Sequence, residues 1–156
     1  MDKQMTKQIT KQIRIPMFVS AITFVLGCLD LVRGFMHTFK LEYAALHVAK
    51  LNLSTPEASD LLQLLGVFGV SNYITGIMLI LVALRARELA LTMLFVMPLA
   101  YTVGWIETSI NSNMYAASQA AWGGKDFMLV YLIVCVITFV AGIACVLYNH
   151  RNQADI

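Results

Sequence analysis

Four long apolar runs, 16–39, 61–84, 89–110 and 127–148, constrain this chain more than any other feature. A helix rises about 1.5 Å per residue, so about 20 apolar residues cross the ~30 Å hydrocarbon core of a bilayer. Each run is long enough. The expected fold is an all-α membrane protein: a four-transmembrane-helix bundle, with residues 1–156 as a single membrane domain. Charge supports this, since 13% of the residues are charged, against roughly 25% in soluble domains.

The first run reads as a span and not as a cleaved signal. It exceeds the roughly 7–15-residue apolar core of a signal peptide and contains Asp30 and Arg33. A net charge of +2, with no basic patch beyond the first 14 residues, argues against a nucleic-acid partner. Cys28, Cys135 and Cys145 all fall inside spans without CxxC spacing and read as small apolar fillers.

The basic N-terminal segment, 1–15, places Lys3, Lys7 and Lys11 on one helical ridge beside Met5, Ile9 and Ile13. That pattern suits a short helix on an anionic membrane surface, or a solvated tail that sets topology. Lys and Arg crowd the N-terminus, the Arg85–Arg87 turn and Arg151, and outnumber Lys40, Lys50 and Lys125 on the opposite side. The positive-inside rule then puts both termini in the cytoplasm.

The outer 40–60 connection has helix formers over 41–51, with Leu41, Ala44, Ala45 and Val48 at helical spacing. The expectation is a short amphipathic helix lying across the mouth of the bundle. Ser54 and Glu57 stand at capping-box spacing before the second span. In that span Gly69, Asn72, Thr75 and Gly76 form a small, polar stripe that should face another helix. Pro98 should kink or loosen the third span. Trp122 suits an interfacial anchor.

Asp30, Arg33 and His37 put an acid, a guanidinium and an imidazole on one face of the first span. Ionisable groups at bilayer depth are expensive and mark function or a partner. Counted from the outer helix ends, Asp30 and Tyr101 lie about 13 Å deep, Asn72 about 16 Å and Arg33 about 9 Å. His37 and Glu107 lie about 3–5 Å deep, with Tyr131 between the two layers. Asp30, Arg33, His37, Asn72, Tyr101 and Glu107 are therefore the candidate ligand-binding residues of a polar pocket opening outward. The bland alternative for Asp30 and Arg33 is an ion pair that neutralises itself and pins the bundle.

No metal is expected, because His37, Glu107 and a third ligand such as Glu42 or His47 lack metal-site spacing. No cofactor pattern is present. Three functions compete. The first is binding or transport of a small amphipathic or anionic ligand, with Arg33 as anchor and a homo-oligomer or larger membrane complex implied. The second is a membrane-embedded enzyme using acid–base residues on a lipid-like substrate such as a sterol, quinone or isoprenoid. The third is an accessory subunit or assembly factor whose polar layer is structural. Membrane lipids are partners in all three.

Overall fold

The computed structural model describes residues 15–111 and 124–152. The basic segment up to Arg14 and Trp122 lie outside the described residues.

Four long helices form a bundle: α1 (Met17–Phe39), α3 (Ala58–Arg85), α4 (Arg87–Asn111) and α5 (Lys125–Asn152), with a short α2 (Leu41–Tyr43) after α1. All four are long and apolar enough to cross a membrane. Pro16 stands just before the first turn of α1, and its carbonyl accepts from Val19 N–H at 3.1 Å. Proline suits this place because its missing N–H would have no intrahelical partner.

The expected amphipathic helix is real but brief. After the three residues of α2 the chain widens into a π-helical turn, Ala44–Val48. Its buried side is made of alanines, Ala44, Ala45 and Ala49, while Val48 points outward. The turn closes with Leu51 N–H donating to Ala45 O at 2.9 Å. Lys50, at φ 55°, carries the chain out of it through the left-handed region.

The capping box does not form. Helix α3 begins at Ala58, later than Ser54 would cap, and Glu57 makes no side-chain bond to it. Asn52 takes over locally, its Oδ1 accepting from Ser54 N–H at 3.0 Å, so the segment is a turn and not a helix start.

Helices α1 and α3 make the tightest pair, and glycine explains why. A methyl placed on Gly27 would lie 2.9 Å from Gly76 O, and one on Gly34 would lie 3.1 Å from Gly69 O. The rising number on α1 meets a falling number on α3, so the helices are antiparallel. The glycines recur every seventh residue on both, two turns apart, which holds the backbones in contact along the seam. Of the small, polar stripe, Gly69, Asn72 and Gly76 are buried and face protein, whereas Thr75 is partly exposed and donates to Ser71 O of its own helix.

Helix α5 packs antiparallel to both α1 and α4: Val19 and Leu91 close on Gly142, while the later Asp30 and Met97 meet the earlier Tyr131. Leu26, Leu79, Leu94 and Cys135 complete an apolar core fed by all four helices. A single residue, Ala86, separates α3 from α4. Beyond Tyr101, α4 has no buried residue up to Ile110. Every residue from Thr102 to Ile110 is exposed, and Trp105 is 69% exposed.

Candidate functional site

The buried side of α1 is Val19, Ser20, Thr23, Leu26, Gly27, Asp30 and Gly34, a helical stripe that carries an acid into the bundle. Asp30 is 2% exposed. Its Oδ1 accepts from Arg33 Nη1 at 3.1 Å, a bond that i, i+3 spacing allows within one helix. Its Oδ2 accepts from the Tyr131 hydroxyl of α5 at 2.9 Å. Met97 Sδ of α4 lies 3.8 Å from the same hydroxyl. The carboxylate thus has both oxygens engaged, and three helices meet around it.

Arg33 lies with its guanidinium carbon 6.0 Å from the ring centres of both Phe127 and Tyr131. That is the outer limit for a cation–π attraction. Its side chain is 15% exposed. A guanidinium offers five N–H donors, and among the described residues Asp30 is its hydrogen-bonded acceptor. Asp30 stands about two residues, roughly 3 Å, past the midpoint of α1. Arg33 reaches back to that level, as helical side chains lean toward the N-terminus.

A second polar group faces α3. The Asn72 amide nitrogen is 3.2 Å from His37 Nδ1, an arrangement in which the amide donates and the ring nitrogen accepts. One residue on, Thr38 Oγ1 is 3.2 Å from the Tyr73 hydroxyl and also donates to Gly34 O at 2.9 Å. A methyl on Gly69 would strike His37 and Thr38. These bonds therefore belong to the glycine seam.

The six sequence-derived residues are distributed over different places. Asp30 and Arg33 meet each other and turn to α5. His37 and Asn72 meet each other on the α3 side. Tyr101 is half-buried against the apolar core. Glu107 is exposed on the departing end of α4, where its carboxylate accepts from Asn111 Nδ2 at 2.5 Å. Tyr131, placed between the two layers but not among the six, completes the surroundings of Asp30 and Arg33 together with Phe127 and Met97, which the sequence did not mark. For Tyr131 there was a signal: it is one of few polar residues in the plainest span. Phe127 and Met97 carry none, since aromatic and thioether side chains are ordinary in any span.

Among the described residues no group of three or more His, Cys, Asp or Glu is placed to hold a metal. Ser20 Oγ is, among those residues, the buried side-chain polar atom without a partner. The chemistry of the central cluster is that of a neutralised ion pair with spare hydrogen-bond donors.

Fold and spans together define a small polytopic membrane protein, an all-α bundle of four spans with a short helix between the first and second. Compared with protein-family models, curated proteins and solved structures, the chain matches none.

Proposed function

We propose that this protein binds or transports a small amphipathic or anionic ligand at the Asp30–Arg33 cluster, with Arg33 as its anchor. The observation that carries this reading is a guanidinium near the middle of a span, held by one carboxylate, with further donors directed away from it. A donor in hydrocarbon needs an acceptor, and a ligand can supply one. Both termini lie in the cytoplasm, by the excess of Lys and Arg on that side. A transport path would be completed by a second copy or a larger complex.

The enzymatic reading draws less support. It needs Asp30, His37 and Glu107 to act together, and they occupy separate places. The accessory-subunit reading has one observation of its own: both oxygens of Asp30 are taken up inside the bundle, as in a polar clamp.

Mass spectrometry of small molecules retained by the purified protein separates these readings. An amphipathic molecule present with the wild type and absent with Arg33→Gln is the expected result. If both proteins retain the same molecules while the variant loses only its assembly with other subunits, the clamp reading replaces this one.

A further inference from the structure

An apolar groove of about 400 Å³ runs between α1 and α5, within the size range of small-molecule sites. Its walls include Ala21, Val25 and Leu29 on one side and Phe127, Val130 and Tyr131 on the other. Val25 and Val130 are exposed, so the groove opens sideways to the surface that lipid covers. From Ala21 to Leu29 it extends about 12 Å, close to the ~15 Å of hydrocarbon in one leaflet. Leu29 is one helical turn before Arg33, and Phe127 and Tyr131 are the rings beside which the guanidinium lies. Arg33 therefore stands at the end of the groove.

Charge decides what fits there. Asp30 already balances Arg33, and a second anion would leave a net negative charge near the middle of the span, where unpaired charge is costly. Hydrogen-bond donors, by contrast, remain. An uncharged oxygen acceptor uses them without adding net charge.

We infer that the α1–α5 groove takes a neutral lipid from within the bilayer, its slender apolar chain between the helices and a carbonyl or hydroxyl oxygen on the Arg33 guanidinium. This rests on the reading of Arg33 as a ligand anchor, and narrows that ligand to an uncharged one that enters laterally.

Three radiolabelled probes with the same chain test it: methyl palmitate, palmitate and hexadecane. They are offered to the full-length protein in phosphatidylcholine nanodiscs, and binding is read as the excess over protein-free discs at pH 8. Methyl palmitate should bind about tenfold more tightly than either other probe, a difference worth about 1.4 kcal/mol. Val25→Trp or Val130→Trp, each on the open side of the groove, should remove that excess. Arg33→Gln should reduce methyl palmitate to the level of hexadecane. Tighter binding of palmitate would overturn the neutral-lipid inference and leave the anionic reading standing. Loss with Arg33→Gln but not with either tryptophan would overturn the groove and keep the anchor. Equal binding of hexadecane and methyl palmitate to the wild type would remove both.

Discussion

Helix α1 has two working faces, and they are built in opposite ways. Toward α3 it presents Gly27 and Gly34, and the partner answers with Gly69 and Gly76, so the backbones themselves touch. Toward α5 it presents Asp30 and Arg33, and the contact is made by long side chains reaching across, Tyr131 foremost. The first face leaves no room at its glycines, where removing side chains removes the space between helices, and the His37–Asn72 and Thr38–Tyr73 bonds continue it past Gly34. The second leaves an apolar groove beside the polar bonds. Backbone contact at paired glycines makes a seam, and contact mainly through side-chain tips leaves room for a site. The outer end of α4 is a third case, in which a methyl on Gly104 would meet none of the described residues within 4 Å.

Breaking the seam should cost most. In Gly76→Leu the first added carbon would stand 2.8 Å from the Gly27 carbonyl oxygen, a backbone atom that moves only with its helix. Overpacking typically costs about 1–3 kcal/mol, and a loss of about 3 kcal/mol or more is expected in equilibrium unfolding in mixed micelles. A loss under 1 kcal/mol would show that α1 and α3 are not locked by glycine. An intermediate effect is expected across the other face. Tyr131→Phe removes the bond to Asp30 and leaves the ring in place. Hydrogen bonds to charged groups contribute about 1.5–3 kcal/mol, whereas side-chain bonds between membrane helices average about 0.6 kcal/mol. A loss of about 1 kcal/mol, between these two figures, is expected in the same unfolding assay. The smallest change belongs to Gly104→Ala. With open space around it, the substitution should leave stability unchanged or raise it by up to about 1 kcal/mol through helix propensity. Destabilisation there would mean that this part of α4 is covered by something outside the described residues.

Much of the fold was legible in the residues, and the site only in part. Four spans follow from four apolar runs, and the short 40–60 helix from its own apolar spacing, though the π-helical widening at Ala44 has no sequence mark. The burial of Gly69, Asn72 and Gly76 follows from their common face. Depth arithmetic was less informative, because it treats residues at one level as neighbours whichever way they point. Asn72 and Asp30 lie at comparable depths by that count, yet one answers His37 across the seam and the other answers Tyr131 on α5. Glu107 shows the same limit, since its helix is exposed from Thr102 to Ile110, past the last contact with the core at Tyr101.

The sequence by itself determined that four helices cross the bilayer and that one of them carries an acid, a guanidinium and an imidazole on one face. Transfer of a span into hydrocarbon sums over about 20 residues, so composition is enough to decide it. Only the tertiary structure decided that Asp30 and Arg33 face α5 while His37 faces α3. Helix rotation and neighbour choice rest on where backbones can approach, and that is set by pairs of glycines on different helices. No single stretch of chain contains such a pair.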